Sequence, residues 1–230
     1  MKFRASSDAR FGVRSVLALV ALTIVAVPFG VLLLLVRARW GPLLSVDNGV
    51  REELYRYTVE HPVFAMAMKT MSTVGSTPVY LTVFAFVAGW LLHRRHPRSA
   101  AFAVVTVAGS AVLNAMVKRA VQRARPVVTD PLTTVTGLSF PSGHAQSAVV
   151  TYATLLLLFW SLLRSMWRRV AVSVAAVMVL GIGLSRVALS VHYVSDVFAG
   201  YVLGMAWVVA TTALFHTWIQ ELRPGVHRTW

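Results

Sequence analysis

Long apolar runs separated by short polar segments dominate the chain. A helix needs about 20 apolar residues to cross a bilayer, and six runs meet or nearly meet that length. They lie at approximately 13–36, 79–92, 100–121, 143–163, 170–189 and 196–218. The pattern predicts an all-α, polytopic membrane protein with six transmembrane helices. No linker interrupts it, so we expect a single membrane-embedded domain over residues 1–230.

The segment 40–78 does not follow the pattern of a spanning helix. Its apolar residues are mixed with charged ones, residues 45–48 offer helix caps, and the apolar stretch 62–71 is too short to span. Residues 75–78 have the composition of a turn. We expect one or two amphipathic helices at the membrane interface, which either guide a lipid into a site or serve packing alone. The run 13–36 is long for a signal peptide and favours an uncleaved anchor.

The composition agrees with a membrane protein and narrows its chemistry. The chain is 57% hydrophobic and 13% charged, whereas a soluble domain carries about 25% charged residues. Its net charge is +14, but most arginines stand at the ends of apolar runs, so no nucleic acid is expected as a partner. The chain has no cysteine and only eight acidic residues, of which Asp130 and Asp196 stand near the polar motifs. Metal-dependent hydrolysis is therefore disfavoured, and we expect neither a metal nor a cofactor.

The distribution of Lys and Arg predicts the orientation of the helices. If the N-terminus lies inside, the inner segments hold Lys2, Arg4, Arg10, Arg14, Arg94, Arg95, Arg98, Arg164, Arg168, Arg169, Arg223 and Arg228. Positive charge marks the cytoplasmic side, so both termini are expected there. The same count of spans brings the polar motifs together at the extracytoplasmic face.

A basic segment follows the third apolar run. Lys118 and Arg125 are seven residues apart, about two helical turns, so they share a face if the helix continues to Pro126. Together with Arg186 they suit a multiply charged anion, because guanidinium binds phosphate bidentately. Each cation taken alone is explained as well by contact with lipid headgroups.

Two further motifs stand at predicted helix starts. Ser142, Gly143 and His144 open the fourth run, where free N–H groups attract an anion and His144 could protonate a leaving oxygen. His192 and Asp196 are four residues apart. Asp196 can therefore accept a proton from one imidazole nitrogen and leave the other as a nucleophile. A helix cap with an incidental histidine explains the first motif alone, and a polar helix start explains the second.

Together these residues resemble the three-part signature of the type 2 phosphatidic acid phosphatase (lipid phosphate phosphatase) superfamily. The signature reads Lys118-x6-Arg125-Pro126, then Pro141-Ser142-Gly143-His144, then Ser185-Arg186-x5-His192-x3-Asp196. The resemblance implies that His192 forms a phosphohistidine, that Asp196 orients His192, and that His144 protonates the leaving oxygen and then activates water. It also implies a metal-free site in which the phosphoryl oxygens are held by Lys118, Arg125, Ser142, Gly143 and Arg186.

The sequence thus predicts an enzyme of a bacterial cell membrane that hydrolyses a phosphate monoester or pyrophosphate of a lipid. Phosphatidic acid, phosphatidylglycerol phosphate and polyprenyl diphosphate are equally compatible with it. One alternative is a membrane transporter, whose ionisable residues would be expected near mid-membrane rather than at helix ends. Another is a catalytically inactive protein that binds lipid phosphates. Vanadate-dependent haloperoxidases share this kind of anion site but are soluble.

Overall fold

The computed structural model describes residues 23–24 and 26–215, and these form helices and connecting segments without any strand. The helices are α1 (Ala26–Arg37), α2 (Gly41–Glu60), α3 (Pro62–Val74), α4 (Thr77–His93), α5 (Pro97–Val121), α6 (Gly143–Phe159), α7 (Ser165–Ala188) and α8 (Val194–Leu214). The predicted all-α fold is confirmed. The start of the first predicted span, the end of the sixth, and the basic residues expected near both termini lie outside the described residues.

Four segments are each long and apolar enough to cross a membrane, namely α5, α7, α8, and α6 together with the short 3-10 turn that extends it to Leu162. Two bent pairs pass the same test together and raise the number to six: α1 with α2, bent by 93°, and α3 with α4, bent by 44°. Large apolar side chains point outward on these helices, among them Phe86, Val112, Val177 and Leu180. Even in α6, only 44% of the apolar window is buried inside the protein. Such a surface suits lipid rather than water.

The segment before the second predicted span folds as two helices, α2 and α3. The caps expected at residues 45–48 are wrong, because α2 begins at Gly41 and Asp47 is a buried residue within it. The predicted turn near 75–78 is confirmed, since α3 ends at Val74 and α4 begins at Thr77. With a bend of 44° at this turn, α3 and α4 fit either one broken span or a re-entrant loop.

Helices α6 and α8 pack with their backbones in close contact. A Cβ atom on Gly200 would lie 2.6 Å from the carbonyl oxygen of Ser142, and one on Gly204 would lie 2.9 Å from that of Gln146. Two small residues four apart permit this approach between membrane helices. The Ser142 N–H also donates to the carbonyl oxygen of Asp196 at 2.9 Å. The N-termini of α6 and α8 are therefore held together.

Helix α5 ends at the residue where the third apolar run was predicted to end. Its last residue is Val121, and Gln122 turns the chain with a φ of 56°. The helix does not continue to Pro126, so Lys118 and Arg125 do not share a helical face. The irregular segment 122–142 then crosses the end of the bundle at which α5 and α7 end and α6 and α8 begin.

Candidate active site

His192 lies between α7 and α8 with 1% of its surface exposed. Its N–H donates to the carbonyl oxygen of Arg186 at 3.2 Å, which ties it to the last turn of α7. Nη1 of Arg125 lies 3.0 Å from Nε2 of His192, and Oδ2 of Asp196 lies 3.4 Å from Nδ1. Because arginine can only donate, Nε2 must accept, and the proton of the neutral ring is on Nδ1.

The surroundings of His192 keep its ring neutral. Burial lowers the pKa of His192 to about 4, against the opposing effects of its hydrogen bond to Asp196 and of the Asp196 charge. The positive charges of Arg125 and Arg186 lower the pKa further. At neutral pH the Nε2 lone pair is therefore available for attack on an electrophile.

The carboxylate of Asp196 is fully buried and accepts hydrogen bonds from several sides. Ser139 Oγ and the Tyr193 N–H donate to Oδ2, the latter at 3.0 Å, and Nη1 of Arg123 lies 2.7 Å from Oδ1. A buried carboxylate needs such partners to remain charged. They hold Asp196 in one orientation, facing His192.

Lys118 and Arg125 reach the same region from different backbone conformations. Lys118 Nζ donates from the last turn of α5 to the carbonyl oxygen of Leu138. Arg125, in the irregular segment, donates through Nε to the carbonyl oxygen of Gly137 at 3.0 Å and through Nη1 to that of Val191 at 2.8 Å. Both cations are thus held by neutral carbonyl groups.

Arg186 completes this group of cations. It is 2% exposed, and its Nη1 donates to Ser72 Oγ of α3. Lys118 is close enough to Arg125 and Arg186 to interact with both electrostatically. Among the described residues, none of these three cations forms a salt bridge with a carboxylate. The site therefore carries concentrated positive charge, which attracts anions.

The N-terminus of α6 faces this positive charge. Ser142 precedes the helix, and its hydroxyl is buried without a hydrogen-bond partner in the part of the chain that the structure describes. Gly143 begins α6, whose first N–H groups have no acceptor within the helix. His144 follows and interacts electrostatically with the cations and with His192. A buried hydroxyl and a helix N-terminus are groups that bind phosphate.

The structure brings all the predicted site residues to one end of the bundle. They are His192, His144, Asp196, Lys118, Arg125, Ser142, Gly143 and Arg186.

Sequence reasoning missed two residues behind this group, Arg123 and Asp47. Nη2 of Arg123 lies 2.8 Å from Oδ2 of Asp47, while Nη1 contacts Asp196. Burial opposes the charge of Arg123, but Asp196 and Asp47 outweigh it and raise the pKa of Arg123. Asp130, the other acidic residue expected near the motifs, is exposed and accepts from Tyr55 through its backbone oxygen. In the sequence, the one indication that Asp47 has a role was that the chain contains few acidic residues.

Comparisons with known proteins identify the family of this chain. A family model described as the PAP2 superfamily matches residues 99–220. Phosphatidylglycerophosphatase B of Bacillus subtilis is 26% identical over 64% of this chain and 73% of its own length. Decaprenylphosphoryl-5-phosphoribose phosphatase of Mycobacterium tuberculosis is 32% identical over 64% of this chain and 77% of its own length.

A crystal structure shares the fold. It is that of a transmembrane PAP2-type phosphatidylglycerolphosphate phosphatase from Bacillus subtilis, which aligns with a TM-score of 0.73 and 24% identity. The alignment covers 86% of this chain and 98% of that one. With more than half of its length matched by the family model and its helices arranged as in a transmembrane relative, this chain belongs to the PAP2 superfamily and is a multi-pass membrane phosphatase.

Proposed function

We propose that this protein hydrolyses a phosphate monoester or diphosphate of a membrane lipid through a phosphohistidine on His192. The observation that carries the proposal is the proximity of Lys118, Arg125 and Arg186 to one another, none bound to a carboxylate within the described residues, with Arg125 3.0 Å from the Nε2 atom of His192. A phosphate group balances that charge and meets a nucleophile at the same place.

In the first step, Nε2 of His192 attacks phosphorus and the bond from phosphorus to the lipid oxygen breaks. Arg125 transfers its hydrogen bond from Nε2 to a phosphoryl oxygen as the phosphate binds. Asp196 keeps the proton on Nδ1 and stabilises the positive ring that forms. His144 donates a proton to the departing oxygen, a contribution worth about 100- to 10,000-fold in rate.

In the second step, water replaces the lipid. His144, now neutral, removes a proton from that water, which attacks the phosphohistidine and releases inorganic phosphate and free His192. Lys118, Arg125, Arg186, the Ser142 hydroxyl and the Gly143 N–H hold the phosphoryl oxygens in both steps. Positioning and charge stabilisation of this kind dominate phosphoryl transfer.

The proposed reaction uses no metal ion. Divalent cations at phosphate sites are usually held by at least one carboxylate together with the phosphate oxygens. The two buried carboxylates behind the site, Asp47 and Asp196, are both bound to Arg123. The positions around the phosphate are taken by cationic side chains, which repel a metal and perform its charge-balancing role.

A lipid phosphate is the proposed substrate class. The relatives are named for phosphatidylglycerophosphate and for decaprenylphosphoryl-5-phosphoribose, and phosphatidic acid and polyprenyl diphosphates offer the same phosphoryl group. The distribution of basic residues supports cytoplasmic termini in a bacterial cell membrane, with the site at the extracytoplasmic face.

The test is phosphate release in detergent with EDTA from a panel of these lipids. The parent is compared with His192→Ala and with His93→Ala, a matched control at an exposed histidine that ends α4. We expect release by the parent and the control and none by His192→Ala. Release that stops with EDTA would overturn the metal-free mechanism, and release that persists in His192→Ala would assign the nucleophile elsewhere. A folded parent that releases phosphate from no lipid would refute the proposed substrate class.

A further inference from the structure

We propose that Arg123 is a positioning residue of this phosphatase, which acts through Asp196 and is anchored by Asp47 of α2. Arg123 balances the buried charge of Asp196 and fixes the direction in which that carboxylate faces His192. This inference rests on the proposed role of His192 as the nucleophile. It assigns a function to α2, which lies outside residues 99–220 that match the family.

The Nη1 and Nη2 atoms of Arg123 donate hydrogen bonds to protein groups behind the phosphate position. Its Nη1 donates to Oδ1 of Asp196 and to Oγ of Ser195, each at 2.7 Å, and its Nη2 donates to Asp47 at 2.8 Å. The guanidinium lies over the ring of Tyr193, with 4.2 Å to the ring centroid. Only 11% of the side chain is exposed. These contacts leave Arg123 as a partner of carboxylates rather than of phosphate.

Arg125 provides the contrast within the same segment. Its guanidinium donates to backbone carbonyl groups and to His192, and it has no carboxylate partner in the ranges that the structure describes. Of two arginines that are two residues apart, Arg125 therefore faces the phosphate position and Arg123 faces the carboxylates behind it. Helix α5 has already ended at Val121, so no regular helix confines these two side chains to one face.

Asp47 anchors the arrangement from a distant part of the chain. It is 1% exposed, and its Oδ1 accepts the Ser195 N–H at 2.9 Å, while its Oδ2 accepts Oγ of the same residue. Ser195 is in the first turn of α8, where N–H groups lack acceptors within the helix. Asp47, which belongs to α2, thus accepts the hydrogen bond of a backbone N–H group at the start of α8, one residue before Asp196. Its charge also binds Arg123, so α2 fixes both the turn that carries Asp196 and the cation that faces it.

Two buried carboxylates share this one cation. Removal of the Arg123 charge leaves Asp47 and Asp196 as neighbouring buried anions, which disfavours the ionised, oriented state of Asp196. Loss of a group that orients a metal ligand lowers activity by about 10- to 100-fold, and we expect a loss of the same order when the group orients a reacting histidine through its carboxylate. Removal of the Arg123 charge should lower kcat rather than raise KM, because Arg123 does not contact the phosphate position. KM should change less than about threefold on the same reasoning.

The experiment measures kcat and KM on the lipid that the parent hydrolyses, for Arg123→Gln, Arg123→Lys, Asp47→Asn and the double variant Arg123→Gln/Asp47→Asn. Arg119→Gln is the matched control, since Arg119 lies in the same basic segment and is exposed. Thermal stabilisation by inorganic phosphate checks that each variant is folded and still binds the anion.

We expect kcat of Arg123→Gln to fall about 10- to 100-fold, with a smaller fall for Arg123→Lys. Lysine keeps the charge but cannot bridge both carboxylates. The double variant should have a higher kcat than Arg123→Gln, because it buries one anion fewer. Because the two residues are in contact, their losses should be coupled, and losses that add would show that Arg123 and Asp47 act independently.

Two results would overturn the role of Arg123. One is a kcat for Arg123→Gln equal to that of Arg119→Gln. The other is a raised KM with unchanged kcat, which would make Arg123 a phosphate ligand. If Arg123→Gln does not fold, kcat of Arg123→Lys and Asp47→Asn decides in the same way. An inactive parent would overturn the proposed function as well, whereas an active parent with an active Arg123→Gln overturns this inference alone.

Discussion

Substitution of Gly200 by alanine tests whether the contact between α6 and α8 sets the geometry of the site. The new Cβ would lie 2.6 Å from the carbonyl oxygen of Ser142, 3.0 Å from Cβ of Ala145 and 3.2 Å from the backbone nitrogen of Gln146. Two of these neighbours are backbone atoms, so no single side chain can move aside. The helices must separate, and Asp196 moves with α8 relative to His144 on α6.

The size of the effect follows from these distances. Ordinary contact begins at 3.4 Å, so the Ser142 contact requires a separation of about 0.8 Å. Overpacking of this kind destabilises a protein by about 1–3 kcal/mol. A misplacement of about 1 Å between reacting groups costs on the order of 100-fold in rate. We therefore expect kcat of Gly200→Ala to fall about 10- to 100-fold, with a lower melting temperature.

Two other glycines serve as controls in the assay, which measures phosphate release and thermal unfolding in the same detergent. A methyl group added to Gly89 in α4 would have no atom within 4 Å, so Gly89→Ala should keep both kcat and melting temperature. Gly204→Ala meets the Gln146 carbonyl oxygen at 2.9 Å, about one turn farther from the site. It should lose stability but less activity than Gly200→Ala. Equal kcat values for Gly200→Ala and Gly89→Ala would refute the reasoning.

The remaining predictions concern His192 and Arg125. The parent should lose more thermal stability than His192→Gln between pH 6.5 and pH 4, because burial lowers the pKa of His192 to about 4 from a usual value of 6.5. As the pH falls, the unfolded chain binds this proton before the folded chain does, so the stability of the folded state falls. An equal change in melting temperature for the two proteins between these pH values would contradict this. Arg125→Lys should lower kcat/KM about 10- to 100-fold in steady-state assays, because an ammonium group cannot reproduce the donors that reach Gly137, Val191 and His192. An unchanged kcat/KM would show that charge alone suffices at this position.

The local pattern of the sequence was enough to predict the helices and the group of motif residues. Apolar runs of spanning length identify membrane helices because lipid cannot hydrogen-bond an exposed backbone. An alternating path across the membrane then brings every second helix end to the same side. Hydropathy carries no information on bend angles, however, so the 93° bend between α1 and α2 was not predicted, whereas the turn before α4 was.

The residues behind the site depended on contacts distant in sequence. Asp47 and Ser195 are 148 positions apart, and Asp47 and Arg123 are 76 apart. Neither position has a local pattern that reveals its partner, because the pairing arises only when α2 packs on the start of α8. The left-handed turn at Gln122 was also unpredicted, since glutamine has no marked preference for that conformation.

The backbone contact between α6 and α8 has a consequence for how the enzyme responds to the thickness of its bilayer. A mismatch between helix length and hydrocarbon thickness is relieved by tilting of helices, at fractions of a kcal/mol per Å. With Gly200 and Gly204 against α6, and the Ser142 N–H bound to the Asp196 carbonyl oxygen, the two helices tilt as one unit. His144 on α6 and Asp196 on α8 should then keep their spacing in thin and thick membranes alike.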